Sequence, residues 1–315
     1  MNLDENLVSI IIPIYNRQSV ISETLDSILF QTYSNWECII IDDNSSDNTS
    51  DIIYSYTLID ARIKFHKRPQ KFIKGANSCR NYGYSLSKGN YIQWFDSDDI
   101  MLPTMIEDKI IKIRSDNSDI VINRLGFFKE DINDFSTDNR VSIEPNSKNL
   151  PFEFFANEFW FGTPQPLFKK SFLQSQNKLF DISLNRNQET ELFVRLLIQN
   201  PKISYINDVL ILQRIHENSI GGKYCSLTDS KKYIIDFPAY KLLYISFVNT
   251  PFMTNEVLKY FKKYFDTCLK KMDFKLISIF SLFYFCFKHN LFKSNIVATK
   301  ILLSRFILTL RSKNV

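Results

Sequence analysis

Several features that would assign a function at once are missing from the 315-residue sequence. Its five cysteines are odd in number and never spaced as C-x-x-C, so neither a zinc site nor a disulfide framework is indicated. Neither the P-loop pattern G-x-x-x-x-G-K-[ST] nor the dinucleotide pattern G-x-G-x-x-G occurs, which argues against an NTPase and a dinucleotide enzyme. Scattered cysteines fit a reducing compartment, and we expect a cytoplasmic protein.

Targeting and membrane-spanning segments are also missing. The first apolar run, in "MNLDENLVSIIIP", follows acidic residues and has no small-residue cleavage site, so it indicates a strand rather than a signal peptide. The most apolar stretch, "LISIFSLFYFCF", has 12 residues between Lys275 and Lys288. A bilayer-spanning helix needs about 20 such residues, and we therefore expect none.

Charge is unevenly distributed along the chain. Residues 231–315 contain 15 Lys and Arg and 4 Asp and Glu, a local net charge of +11. Subtracting these from the chain totals of 39 basic and 34 acidic residues leaves 24 basic and 30 acidic residues before Lys231, a net charge of −6. This basic, Phe-rich region has helical spacing from about residue 226. Such helices can lie on an anionic membrane, and the alternative is a helical subdomain that packs on the core.

Strand and helix patterns alternate through the first hundred residues. Short β-branched runs are separated by segments with helical spacing, which predicts a mostly parallel sheet covered by helices on both faces. The predicted strands are "LVSIIIPIY", "ECIIIDD", "RIKFHK" and "NYIQWFD". Further on, we expect a helix in "TMIEDKIIKIRS", a strand in "DIVINRLGFF" and a helix in "LNRNQETELFVRLLIQN". Residues 129–150 are expected to form a loop or an irregular hairpin over one edge of the sheet. A strand in "KISYINDVLILQRIH" and a domain boundary at "ENSIGGK" follow.

Polar clusters follow three of these strands, namely "PIYNR", "DDNSSDN" and "DSDD". In open α/β sheets, ligands bind beyond the carboxyl ends of the strands. The last cluster crowds Asp96, Asp98 and Asp99, and carboxylates that repel one another suit a hard divalent cation such as Mg²⁺ or Mn²⁺. Because such a cation is commonly shared with phosphate oxygens, a nucleoside diphosphate ligand is indicated.

Together and in this order, "VSIIIPIYNR", "IIIDDNSSDNT", "GANSCRNYG", "GNYIQWFDSDD" and "NQETELFVRL" resemble the family 2 glycosyltransferases with the GT-A fold. The resemblance implies a Rossmann-like, mostly parallel mixed sheet with helices on both faces. The resemblance covers residues 7 to about 220. We expect a GT-A domain at residues 1–225, with a nucleotide-binding half at about 1–100 and an acceptor half at about 101–225. A C-terminal helical region would occupy residues 226–315.

Carried over residue by residue, the resemblance implies a set of donor-binding groups. They are Pro13 and Tyr15 in the nucleotide pocket, Asp43 at the base with Asp42 beside it, Arg80 near the diphosphate, Asp96 at the ribose or metal, and Asp98 at the metal. Asp99 would touch the sugar or cap the following helix. Strand-end turns are the alternative for Asp42 and Asp43, and a plain surface charge is the alternative for Arg80.

Later segments supply the remaining candidates. Relatives often have an Arg-x-His segment closing over the diphosphate, which points to His216 as a metal or phosphate contact, with an ordinary loop residue as the alternative. Trp160 and Phe161 resemble the region that receives acceptor sugars, and core packing is equally compatible with them.

The sequence differs from the family pattern at the position of the general base. The family has a Glu-Asp pair at the start of a helix, where this chain has Gln188 and Glu189. Glu189 shares helical spacing with three apolar residues that would face the core (Leu192, Phe193 and Leu196), whereas Glu191 would pair outward with Arg195. Glu189 is therefore the expected base, and a buried structural partner of an arginine is the alternative.

The sequence thus predicts an inverting, metal-dependent glycosyltransferase. The donor would be UDP-glucose, UDP-galactose or an N-acetyl relative. The acceptor would be a lipid-linked glycan that is extended during assembly of a bacterial O-antigen or capsule. We expect peripheral contact with the inner face of the cell membrane and no nucleic-acid partner. Two alternatives are a nucleotidyltransferase, which should have a Gly-rich, Lys-containing loop after the first strand, and an inactive GT-A-like binding module.

Overall fold

The computed structural model describes residues 6–137, 149–215 and 227–271, together with Phe285, Lys288 and His289. The chain divides into two compact units, Met1–Glu217 and Asn218–Val315. The first unit contains the sheet and the predicted site residues, and the second contains helices.

The first unit is built on a mixed sheet of nine strands. In chain order the strands are β1 (Val8–Ile14), β2 (Trp36–Asp42), β3 (Ile63–Lys67), β4 (Tyr91–Trp94), β5 (Ile100–Met101), β6 (Ile120–Phe128), β7 (Phe135–Thr137), β8 (Leu167–Lys169) and β9 (Ile203–Arg214). Their order in the sheet is β3-β2-β1-β4-β8-β6-β9-β5, with β7 paired to β6.

The half of the sheet formed by β3, β2, β1 and β4 is wholly parallel. All seven residues of β1 and all seven of β2 are buried, as expected of parallel strands that are covered on both faces. Because these four strands are parallel neighbours, the segments that follow β1, β2 and β4 emerge at the same edge of the sheet. The sheet topology therefore brings the three polar clusters to the same edge.

The other half of the sheet is mixed. The short strand β8 lies antiparallel between β4 and β6, whereas β9 runs parallel to β6 and antiparallel to β5. Strand β8 therefore joins the parallel half to the strands of the second half of the unit. Within residues 129–150, predicted as a loop or an irregular hairpin, β7 pairs antiparallel with β6 and so forms a hairpin with it, and residues 138–148 lie outside the described residues.

Nine helices lie in the described part of the chain. They are α1 (Ile21–Leu29), α2 (Thr49–Ile59), α3 (Ala76–Leu86), α4 (Met105–Ser115), α5 (Leu150–Ala156), α6 (Lys170–Gln174), α7 (Gln188–Ile198), α8 (Asp229–Phe247) and α9 (Asn255–Lys271). Alternate residues of β2 belong to different clusters: Cys38 and Ile40 pack with α1 and α2, and Ile39 and Ile41 with α3. Helices therefore cover both faces, which confirms the predicted architecture.

The second unit is held together by aromatic side chains. The rings of Tyr240 and Tyr264 stack with centroids 3.7 Å apart, and Phe261 contacts Tyr244 and Phe247 at 5.3 and 5.9 Å. None of the helices in the described part of the chain is long and apolar enough to cross a membrane.

Candidate active site

The loops that follow β1 and β2 are tied together by hydrogen bonds. The backbone N–H groups of Asn16 and Arg17 donate to Ser45 Oγ at 3.0 Å and to Thr49 Oγ1 at 2.8 Å. Asn16 has a φ of 49°, in the left-handed region that asparagine tolerates better than most residues. These contacts fix the backbone around Arg17 at the carboxyl-terminal edge of the sheet.

The adjacent carboxylates at the end of β2 have different surroundings. Asp42 accepts hydrogen bonds from the backbone N–H and hydroxyl of Ser45 at 2.9 and 2.6 Å, and from Ser50 Oγ at 3.3 Å. Asp43 forms an ion pair with Arg68, and both side chains are less than one-tenth exposed. Asp42 thus stabilises the turn, the alternative that the sequence left open for it, whereas Asp43 is a buried charge held by an arginine.

The two other residues predicted for the nucleotide pocket lie beside this turn. Pro13 is buried within β1. Tyr15, the residue after the strand, is 42% exposed, and the ammonium group of Lys74 lies 4.0 Å from the centre of its ring. The Tyr15 ring is therefore an accessible flat surface at the edge where the polar clusters meet.

Asp96 and Arg80 come together across the start of the acidic turn. Arg80 lies on α3 and donates from Nη2 to Asp96 Oδ1 at 2.8 Å. The Arg80 side chain is 8% exposed and that of Asp96 is 27% exposed. Arg80 is therefore a buried member of the site rather than a surface charge, and its guanidinium group is the immediate partner of a predicted ligand carboxylate.

Asp98 faces a second arginine. Arg17 Nε lies 3.4 Å from Asp98 Oδ2, and the two side chains are 36% and 17% exposed. The pair brings the polar cluster after β1 into direct contact with the acidic turn after β4. The described structure thus offsets the repulsion between carboxylates with guanidinium groups.

Asp99 does not fit either role predicted for it. Its side chain is fully buried, accepts a hydrogen bond from the backbone N–H of Arg214 at 3.2 Å, and leaves Oδ2 without a donor among the described residues. A group so enclosed cannot touch a bound sugar, and α4 begins after Thr104 rather than after Asp99. Burial, reinforced by the charges of Asp96 and Asp98, raises the pKa of Asp99 well above its usual value.

The donor atoms at this turn suit a hard cation. Asp96 and Asp98 are both partly exposed and offer carboxylate oxygens, which Mg²⁺ and Mn²⁺ prefer. No group of three or more His, Cys, Asp or Glu residues that could hold a metal ion occurs among the residues that the structure describes. The carboxylates of Asp96 and Asp98 fit a cation that takes one or two protein carboxylates and completes its coordination with water and phosphate oxygens.

Glu189 lies in the first turn of α7 and is partly buried. The predicted apolar stripe of this helix is confirmed, since Leu192, Phe193 and Leu196 are all buried. The predicted outward orientation of Glu191 is wrong: it pairs with Arg195 at 2.7 Å, but its side chain is only 2% exposed.

The reason for the burial of Glu191 is a segment that covers the pair. Arg195 donates to the backbone carbonyl groups of Lys178 and Leu179 at 2.7 and 2.6 Å. From the other side, Asn77 of α3 donates to the carbonyl groups of Asp181 and Leu184 at 2.8 and 3.0 Å. Residues 178–184 therefore connect the helix that carries Arg80 to the helix that carries Glu189.

The two residues predicted to bind the acceptor, Trp160 and Phe161, differ in burial. Phe161 is 1% exposed and contacts Phe154 and Phe193 with ring centroids 4.7 and 4.8 Å apart, so its ring belongs to the core and cannot stack on an acceptor sugar. Trp160 is partly buried and packs against the main core cluster. His216 lies outside the described residues.

Sequence reasoning missed the importance of three arginines in the site. Arg17 and Arg68 face Asp98 and Asp43, and Arg214, the last residue of β9, donates from Nε to the backbone carbonyl group of Asp98 at 3.3 Å. Arg214 also pairs with Glu23 at 2.6 Å. The available signal was positional, because Arg214 ends a strand, Arg68 directly follows one, and Arg17 lies three residues after one, all at the edge that holds the acidic clusters.

The sequence matches a known family and several known proteins. Residues 9–178 match the family described as "Glycosyl transferase family 2". Glycosyltransferase GlyG of Streptococcus pneumoniae serotype 4 is 30% identical over 220 residues, which cover 68% of this chain and 72% of that protein. An Escherichia coli protein, "UDP-Glc:alpha-D-GlcNAc-diphosphoundecaprenol beta-1,3-glucosyltransferase WfgD", is 39% identical over 115 residues, covering 36% of this chain and 44% of that protein.

Solved structures show the same fold. The crystal structure of Staphylococcus aureus TarS residues 1–349 in complex with UDP-GlcNAc superimposes with a TM-score of 0.63. The match covers 84% of this chain and 72% of that chain at 18% sequence identity. The sheet and helices described above therefore have the same fold as that structure.

The contribution of the buried ion pair between Asp43 and Arg68 can be measured as a change in the free energy of unfolding. We expect Arg68→Met to lower the free energy of unfolding by about 3–5 kcal/mol, because it leaves the Asp43 charge buried without a partner. Lys112→Met is a suitable control, since it removes a solvent-accessible ion pair with Asp116 and should cost far less than Arg68→Met. Urea denaturation measures both.

Adding Asp43→Asn to Arg68→Met should restore part of the lost stability, since the uncompensated charge is then removed. Equal costs for Arg68→Met and Lys112→Met would show that the buried pair contributes no more than an exposed one.

Proposed function

Because the chain belongs to glycosyl transferase family 2, we propose that it is an inverting enzyme that moves a hexose or N-acetylhexosamine from a UDP-sugar to a hydroxyl group of a glycan acceptor. The observation that carries this proposal is the convergence of Asp43, Asp96 and Asp98 with Arg17 and Arg80 at one edge of the sheet. That edge is where ligands bind in open α/β sheets.

The nucleotide end of the donor would lie between the loops that follow β1 and β2. Tyr15 offers an exposed ring to the base, and Asp43 offers a carboxylate oriented by Arg68. A relative named for UDP-Glc and a solved neighbour bound to UDP-GlcNAc support uracil as the base and a glucose-type sugar as the transferred group. UDP-glucose, UDP-galactose and their N-acetyl forms remain the candidate donors.

The diphosphate would lie at the turn after β4. Asp96 and Asp98 would hold Mn²⁺ or Mg²⁺, which when bound neutralises the leaving diphosphate. Arg80 is next to Asp96 and is buried, so its guanidinium group would stabilise the negative charge that the diphosphate gains as it departs.

Glu189 would act as the general base. In a single displacement, it takes the proton of the acceptor hydroxyl as that oxygen attacks the anomeric carbon. The bond between that carbon and the phosphate oxygen breaks, and its electron pair leaves with UDP. Residues 178–184 support this assignment, because they tie the helix of Glu189 to that of Arg80 and so hold base and leaving-group site in a fixed relation.

The proposed acceptor is a lipid-linked glycan. It would be an intermediate in the assembly of a bacterial surface polysaccharide such as O-antigen or capsule. WfgD is named for a diphosphoundecaprenol-linked acceptor. Such an acceptor places the enzyme at the inner face of the cell membrane, where anionic lipids attract basic segments.

Helix α9 supplies one such segment. Its Phe261 and Phe265 are fully buried, so in this helix the aromatic face packs within the second unit rather than being available for insertion. Lys259 and Lys263 are exposed and Lys262 is partly buried. We therefore propose that α9 contacts lipid headgroups through its lysines.

The base assignment is tested by following UDP release from a panel of UDP-sugars with a lipid-linked acceptor and Mn²⁺. We expect Glu189→Gln to lower kcat by about 10²–10⁴-fold, because the amide cannot accept the hydroxyl proton. Glu158→Gln, at an exposed position of the same half, is the control and should retain wild-type activity. Wild-type kcat in Glu189→Gln would remove the base role.

The membrane proposal is tested by sedimentation with vesicles that contain anionic lipid. Replacing Lys259, Lys262 and Lys263 by Gln should weaken vesicle binding on the order of a hundredfold at low salt, since each lysine near an anionic surface contributes about 1 kcal/mol. High salt should abolish the difference because the attraction is screened.

A control variant with the same loss of charge separates a local from a global effect. Lys88, Lys129 and Lys202 are exposed in the first unit, and their joint replacement by Gln should leave vesicle binding close to that of the wild type. Equal weakening by both triple variants would exclude α9 as the contact surface.

A further inference from the structure

Three arginines face carboxylates of the candidate site, and their contacts differ in strength. Arg68 and Asp43 are both less than one-tenth exposed, so this pair is enclosed. Arg80 is buried and makes a hydrogen bond of 2.8 Å to Asp96. Arg17 differs from both, because its side chain is 36% exposed.

The contact of Arg17 with Asp98 is electrostatic rather than a well-formed hydrogen bond. Arg17 Nε lies 3.4 Å from Asp98 Oδ2 and has no hydrogen-bond acceptor among the described residues, although the atom is shielded from solvent. An ion pair of this kind contributes little free energy and is readily exchanged. Arg17 is thus the cation of the site that is most easily displaced.

Only the side chain of Arg17 would have to move. Its backbone N–H is held by Thr49 Oγ1 at 2.8 Å, and the loops around it are fixed by the contacts of Asn16 with Ser45. A Mg²⁺ ion binds carboxylate oxygen at about 2.1 Å. A guanidinium group that stays close to the same oxygen would repel the ion, so the two cations compete for Asp98.

We propose that Arg17 is a resident counter-cation of Asp98 and that a divalent cation must displace it to bind. This inference rests on the proposed function, since the cation is the one that accompanies the nucleotide sugar. The displaced guanidinium group remains at the end of β1, where a diphosphate supplies a replacement anion. Arg17 therefore disfavours binding of the cation alone and favours its entry together with the nucleotide.

The test is a titration of the full-length protein with Mn²⁺ in the absence of nucleotide, with free Mn²⁺ measured by electron paramagnetic resonance. Arg17→Gln removes the competing charge and should bind Mn²⁺ about fivefold more tightly, the factor that corresponds to a partly exposed ion pair. Arg17→Lys retains a competing cation and should stay close to the wild type.

Arg62→Gln is the matched control. Arg62 is also 36% exposed and pairs with an aspartate, Asp60, but it precedes β3 at the opposite edge of the sheet. It should leave Mn²⁺ affinity unchanged, which separates the local competition from the change in net charge. Circular dichroism spectra should show that all three variants are folded.

Unchanged or weaker Mn²⁺ binding in Arg17→Gln would overturn the proposal, as would an equal gain in Arg62→Gln. Absence of Mn²⁺ binding in every variant would overturn it as well. In that case UDP-glucose binding and UDP release, measured in the same samples, report separately on the glycosyltransferase proposal.

Discussion

Mutual repulsion of the carboxylates after β4 is the constraint on which the candidate site depends. Asp96, Asp98 and Asp99 lie within four residues, and the surrounding structure offsets their charges with arginines from three other elements. Arg17 follows β1, Arg80 lies on α3, and Arg214 ends β9. The site is therefore an assembly of distant segments, and its electrostatics require the sheet to bring them together.

Strand order explains how the two halves of the first unit meet at this point. Strand β4 lies between β1 and β8, and the antiparallel β8 connects it to β6. The acidic turn is thereby next to the loops that follow β1 and β2 and next to the strands of the second half. Residues 178–184 add a second connection, from α3 to α7, so that Arg80 and Glu189 are held by the same segment.

The sequence predicted the fold well because buried strands and amphipathic helices leave clear periodic patterns in β1, β2 and α7. It predicted less about individual charges. Asp99 and Glu191 are buried although each is adjacent to polar residues, because β9 and residues 178–184 cover them. Such burial depends on contacts between segments far apart in the chain, and periodicity carries no information about them. Phe161 shows the same limit, since its partner Phe193 is 32 positions away.

The central claim is that the turn after β4 binds the diphosphate of a UDP-sugar through a divalent cation. Isothermal titration of UDP into the protein, with Mn²⁺ or with EDTA, and with wild type or Asp98→Asn, tests it most directly. We predict that UDP binds the wild type tightly only with Mn²⁺, and that Asp98→Asn reduces this binding to the level seen in EDTA. Equal affinity in all four titrations would contradict the claim.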